Sequence, residues 1–145
     1  MNNNNFTIIS FYQFRKLKNL SHLKNNLRKI CSFHKLRGTI LLSPEGINGS
    51  IAGLNDPLQQ FINEIVSQGF KNLELKFFLY KYMPFNRLKI KIKKEIITFC
   101  NTRLDVEKNT AIHINSENWN RFISNKDTLV LDVRNKFESE LGSFK

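Results

Sequence analysis

The sequence predicts an α+β domain of the ferredoxin-like, split βαβ kind over residues 6–98, with one antiparallel sheet carrying two helices on one face. Three observations predict it. Apolar residues switch between periods of two and of three to four, in the order strand, helix, strand, strand, helix, strand. The second and third strands are separated only by Ser43-Pro44-Glu45-Gly46, so they must run antiparallel. The second helix carries its own start and stop signals.

Residues 6–12, FTIISFY, are apolar and rich in β-formers, a first strand. Residues 15–36 then place Leu20, Leu23, Leu27, Ile30, Cys31 and His34 three and four apart, one stripe of a helix, with most lysines off the stripe. Residues 37–53, RGTILLSPEGINGSIAG, form the hairpin around which the chain is organised, with strands over 39–42 and 47–52. Pro44 presets φ for a first turn position and Gly46 permits positive φ. Gly49 and Gly53 point to a bulge or to a surface that another backbone approaches closely. Together with Glu45 and Asn48 they hint at a binding surface at one hairpin end.

In the second helix Asp56 is the expected N-cap, Pro57 the first helical residue and Gln59 the partner in a capping box. Leu58, Phe61, Ile62, Ile65 and Val66 make its apolar face, and Gly69 offers a left-handed stop. Residues 73–80 alternate as a fourth strand. Acylphosphatase chemistry on this fold needs a glycine-rich, arginine-containing phosphate loop after the first strand. Gln13-Phe14-Arg15 supplies no glycine, which excludes it.

Residues 84–99 alternate Leu88, Ile90 and Ile92 with Arg87, Lys89, Lys91 and Lys93. On a strand, those four cations share one face at intervals of about 6.8 Å. That is close to the phosphate spacing of an extended nucleic-acid strand. The competing reading is an edge strand protected from aggregation by lysines. Net charge is +11, and residues 110–145 balance five basic against five acidic residues. The excess therefore lies in residues 1–109, where it attracts polyanions. A lysine- and asparagine-rich proteome would produce the same excess with no such partner.

No stretch approaches the ~20 consecutive apolar residues of a membrane span, and the N-terminus lacks a signal-peptide pattern. Residues 1–5 read as a disordered lead-in. Cys31 and Cys100 form no CxxC pair and read as free thiols in a reducing cytoplasm. His22 and His34 have no carboxylate or cysteine at ligand spacing, so no metal site is expected. Residues 99–109 are a polar linker. Beyond it, Ser116 is the expected cap of a helix through Phe122 bearing Trp119, a packing residue. TLVLDV, residues 128–133, suits a buried parallel strand.

Three stretches carry a family resemblance: GTILLSPEGINGSIAG (38–53), PFNRLKIKIKKEIIT (84–98) and residues 119–145, which contain LDVRNKFESELGSFK. In order and spacing the sequence resembles the rhodanese-containing tRNA uridine hydroxylases. The EGING hairpin and the PF-x-RLK strand are fairly specific; DVRN-x-x-E alone says only rhodanese-like. The resemblance implies a ferredoxin-like domain joined to a rhodanese-like α/β domain, of which residues 110–145 would be the first strand and helix, incomplete and either loosely held or docked opportunistically on the first domain. It also implies hydroxylation of the wobble uridine at C5, the first step toward 5-oxyacetic-acid-type modifications, with molecular oxygen as co-substrate and no bound cofactor.

The family's essential cysteine lies in a rhodanese loop downstream of the DVRN segment, beyond residue 145. Neither Cys31 nor Cys100 matches it, so no catalytic residue is assigned. Asp132, Arg134 and Glu138 match the motif that opens the rhodanese domain, with a bracing role. Arg37, Arg87, Lys89, Lys91 and Lys93 are the RNA-binding candidates. Glu45, Gly46, Asn48 and Gly49 form the family hairpin motif, of which Glu45, Asn48 and Gly49 are expected to face the catalytic domain or the anticodon loop. The implied function is tRNA binding by a chain inactive alone, with tRNA and a separately encoded rhodanese segment as partners. The alternative is a non-catalytic remnant or adaptor that binds RNA or protein. A sulfurtransferase would need the downstream cysteine.

Overall fold

Period-two alternation becomes a five-stranded sheet, and the two helical stripes lie on one of its faces. A computed structural model describes residues 5–96, 111–112 and 114–143. Two units divide the chain, Met1–Asn109 and Thr110–Lys145. The first contains β1 (Phe6–Phe14), α1 (Leu20–Phe33), β2 (Arg37–Ser43), β3 (Gly46–Gly53), α2 (Asn55–Ser67), β4 (Glu74–Tyr80) and β5 (Leu88–Ile92). Strand order is β4-β1-β3-β2-β5.

The expected all-antiparallel sheet is corrected at one edge. β1 pairs antiparallel with β3 and β4, and β2 antiparallel with β3, but β5 runs parallel to β2. Geometry forces this. β4 ends at the end of the sheet where β2 begins, and residues 81–87 cross to that same end of the opposite edge. Seven residues reach at most about 24 Å, enough to cross four strand spacings of about 4.8 Å each. A strand that enters there can only run alongside β2.

The core lies between the sheet and the helices. Ile9 and Phe11 from β1, Ile40 and Leu42 from β2, and Ile47 and Ile51 from β3 are buried against Leu27 and Cys31 of α1 and Leu58, Phe61 and Ile65 of α2. The Phe11 and Phe61 rings lie 5.7 Å apart, tilted. α1 meets β2 and β5 while α2 meets β1 and β3, both on this face.

Helix boundaries depart from expectation for local reasons. α1 starts at Leu20 rather than Arg15; the preceding loop is tied to the hairpin, with the amides of Arg15 and Leu17 donating to the carbonyls of Glu45 and Pro44, at 2.8 and 2.9 Å. Asn19, at φ 53°, then takes the left-handed conformation and separates this loop from the helix. α2 starts at Asn55 with Leu54 as its cap and no side-chain cap bond, so Asp56 is not the N-cap. Asp56 sits in the first turn, where its charge favours the helix dipole. Gly69, at φ +96°, takes the left-handed conformation just past the helix.

In the second unit, α3 (Ser116–Ile123) is capped by Asn115, not Ser116: the Asn115 side chain accepts from the Asn118 amide at 3.2 Å. α4 (Lys136–Leu141) follows. The strand expected over residues 128–133 does not form, because no described segment pairs with it. Leu129, Leu131 and Val133 stand exposed. Residues 1–4 of the expected lead-in and the expected linker 99–109, with Cys100, lie outside the described residues. No described helix is long and apolar enough to cross a membrane.

Two predictions follow from the core and the hairpin. Gly46 has φ +152°, and a Cβ there would meet the Gln13 carbonyl of β1. Gly46→Ala should cost roughly 1–3 kcal/mol in urea unfolding; wild-type stability would refute the close approach. Burial pushes the Cys31 thiol up from 9.0 to about 12, with Glu64 adding to it. The raised folded-state value contributes stability that is complete below pH 9 and is lost as pH climbs toward 12. Cys31→Val should therefore flatten part of the alkaline fall in unfolding free energy, whereas parallel curves would show that the thiol titrates freely.

Candidate nucleic-acid interface

Parity assigns the faces of β5. Ile90 is buried against the core, so Lys89 and Lys91 point to the helix-free side. The ladder with β2 extends past both ends of the strand: the Gly38 amide donates to the Arg87 carbonyl at 3.1 Å, and the Lys93 amide to the Leu42 carbonyl at 2.8 Å. Arg87 and Lys93 therefore continue the alternation. Thr39 lies beside Lys89 and Leu41 beside Lys91, and one further step of this register sets Arg37 beside Arg87. All five cations picked out in the sequence thus share one margin of one face. None is in an ion pair among the described residues. A cleft of about 480 Å³ opens at this margin, lined by Gly38, Thr39, Pro84, Phe85, Asn86, Arg87 and Lys89. Such a row can meet successive phosphates, and the cleft adds neutral donors next to them.

The hairpin motif divides between two tasks. Glu45 accepts a hydrogen bond from the Ile96 amide at 3.0 Å through its carboxylate, and another from the Arg15 amide through its carbonyl. It ties the β1–α1 loop and the segment after β5 to the turn. Gly46 allows β1 to approach, and Gly49 leaves room for the Phe11 ring, whose Cζ would lie 2.6 Å from a Cβ at that position. Asn48 alone of the four is exposed, on the helix-free face opposite Tyr12. Glu45, Gly46 and Gly49 therefore hold the hairpin in place.

Cys31 is fully buried, so it offers no accessible nucleophile. His22 Nε2 lies 3.1 Å from the Asn26 amide nitrogen, and His34 Nε2 lies 3.6 Å from Glu64. In the second unit Arg134 donates twice to Asp132, at 2.9 and 2.6 Å, and to the Gly142 carbonyl at 2.7 Å. The Arg134 guanidinium holds the Asp132 carboxyl well below the usual carboxylate range. Glu138 closes a capping box with Asn135 at the start of α4. Arg134 thus links Asp132 to the Gly142 carbonyl, and Glu138 closes the first turn of α4.

Sequence reading missed the rest of the helix-free face. Phe6, Ile8, Ser10, Tyr12 and Phe14 of β1 lie there, opposite in parity to buried Thr7, Ile9 and Phe11, as do Phe78 and Tyr80 of β4. The signal was the alternation itself, which shows two faces without saying which one the helices cover.

Residues 6–96 match the family described as "UPF0176 acylphosphatase like domain". The likeness to acylphosphatases lies in the fold, since the amides of Arg15 and Leu17, which could cradle a phosphate, are taken by the hairpin. Curated relatives named tRNA uridine(34) hydroxylase are similar over almost the whole chain. The one from Nitrobacter winogradskyi is 38% identical over 95% of this chain and 56% of its own length. That from Bradyrhizobium diazoefficiens is 40% identical over the same shares. That of the Wolbachia of Brugia malayi is 38% identical over 97% of this chain and 52% of its own. The chain thus spans about half the length of the curated relatives it matches. Among solved structures, Klebsiella pneumoniae BlrP1 in its calcium and cyclic di-GMP complex superimposes with a TM-score of 0.52 at 12% identity, covering 79% of this chain and 30% of that one. That likeness is one of fold. With residues 6–96 matched and the EGING hairpin and PF-x-RLK strand in place, the chain belongs to the UPF0176 family, whose relatives here carry the name tRNA uridine(34) hydroxylase.

Proposed function

We propose that this chain is the tRNA-binding N-terminal part of an oxygen-dependent tRNA uridine hydroxylase, which converts the wobble uridine to 5-hydroxyuridine in the cytoplasm. One observation carries the reading: Arg37, Arg87, Lys89, Lys91 and Lys93 converge on one margin of the sheet, in a chain of net charge +11. The chain binds and orients the tRNA through that margin. The chemistry belongs to a rhodanese segment with its loop cysteine, and molecular oxygen is the oxidant. Asp132, Arg134 and Glu138 brace the start of that segment. A second reading, a non-catalytic adaptor or remnant, uses the same margin and is favoured by the burial of Cys31, the one cysteine among the described residues.

The binding reading is tested by gel shift of the 145-residue chain with tRNA across a salt series. Three or four phosphate contacts give a slope of log affinity against log salt of about −2 to −3 on single strands. Replacing Lys89, Lys91 and Lys93 together by Ala should weaken binding and make that slope shallower by about 2. Unchanged affinity would remove the margin as an RNA surface. The catalytic half is tested by co-expressing the chain with a rhodanese segment carrying the loop cysteine and analysing tRNA nucleosides by mass spectrometry. The pair should produce 5-hydroxyuridine and neither piece alone should; pieces that never associate favour the adaptor.

A further inference from the structure

Neither α1 nor α2 meets the second face of the sheet, and its composition is graded from edge to edge. Rings stand at the β4–β1 side: Phe78 and Tyr80 are 52% and 53% exposed, and Tyr12 is half-buried. Glu74 lies opposite Tyr12 across the strand pair and raises the pKa of its hydroxyl. Small polar groups fill the centre, with Ser10 Oγ 3.0 Å from Ser50 Oγ and Asn48 exposed beside them. Arg87, Lys89, Lys91 and Lys93 stand at the β5 side, and Lys76 lies opposite Ser10 at the β4 side. The register aligns these zones in two rows, Tyr12–Asn48–Leu41–Lys91 and Ser10–Ser50–Thr39–Lys89, each three strand spacings, about 14 Å, from β1 to β5.

A face that offers rings, then hydroxyl and amide donors, then ammonium groups matches a polymer with flat bases on one side and phosphates on the other. Bases in a duplex hide their faces in the stack; unpaired bases present them to aromatic side chains. The excess positive charge opposes a second copy of the same chain on this surface. Building on the tRNA-binding reading above, we propose that the helix-free face is a platform for unpaired RNA, with Tyr12 and Phe78 stacking on bases and Lys89 and Lys91 holding the phosphates. The lysine margin alone would accept any polyanion; the rings make the surface selective for single strands.

The test measures anisotropy of a short labelled oligouridine and of a labelled RNA duplex with the 145-residue chain, alongside size-exclusion chromatography. Tyr12→Ala and Phe78→Ala should each weaken oligouridine binding about 5- to 150-fold, leaving duplex affinity and the salt slope unchanged. Tyr12→Phe, which keeps the ring, should retain binding. Phe78 is exposed on an edge strand, so its variant answers even if Tyr12→Ala unfolds. Should both alanine variants bind oligouridine like wild type while the lysine variants lose tRNA, the platform is overturned and the tRNA-binding reading stands. Binding of neither oligouridine nor tRNA by the wild type overturns both. A dimer dissociated by Phe78→Ala, with RNA affinity unchanged, would make the face a self-association surface and also overturn the platform.

Discussion

The register between β1 and β3 supports the rest of the molecule. Phe14 lies opposite Gly46 and Phe11 opposite Gly49, so β1 approaches where β3 has no side chain in the way. The Phe11 ring then reaches Phe61 of α2. A slip of one residue would turn every side chain of β1 to the other face. Thr7, Ile9 and Phe11 would leave the core, and Ser10 and Tyr12 would enter it. The carbonyls of Pro44 and Glu45 lock the arrangement by taking the Leu17 and Arg15 amides, which ties the chain after β1 to the hairpin turn.

With both helices on one face, the remaining requirements fall on the edges. At β5 the cations serve two physical ends at once. They keep an exposed strand from pairing with other chains, and they supply a positive margin. The two readings open from the sequence are therefore compatible, since a lysine-guarded edge is also a phosphate-spaced row. β4, the other edge, is guarded less: Phe77 and Leu79 on its helix side are exposed beyond the reach of α2. The two edges of the sheet thus differ in chemistry: β5 is a row of cations, while β4 mixes exposed apolar and aromatic residues with Glu74 and Lys76.

The second unit is organised on a shorter scale. Arg134 gathers Asp132 and the Gly142 carbonyl, and Asn135 and Glu138 close the start of α4, all within about ten residues of chain. Such contacts need no distant partner and form without a completed sheet. TLVLDV is different. A parallel strand takes its hydrogen bonds from strands remote in sequence, and none is available among the described residues, so its apolar side chains stay in solvent.

Local chemistry was enough to read the strand–helix order, the hairpin at Pro44–Glu45, the apolar stripes of α1 and α2, the stop at Gly69 and the cation alternation around β5. Each is written in neighbouring residues through propensity, turn geometry or periodicity. The DVRN-x-x-E and EGING segments likewise carried the family resemblance directly. What the tertiary structure decided was everything that depends on segments far apart. It set the parallel pairing of β5 with β2 through the path of residues 81–87. It also gave Glu45 its structural task through Ile96, and tied residues 15–17 to the hairpin so that α1 begins only after the left-handed Asn19. Above all it decided which face of an evenly alternating β1 is covered. Alternation defines two faces and is symmetric between them; only the helices packed against Ile9 and Phe11 break that symmetry, leaving Tyr12 and the lysines together on the other side.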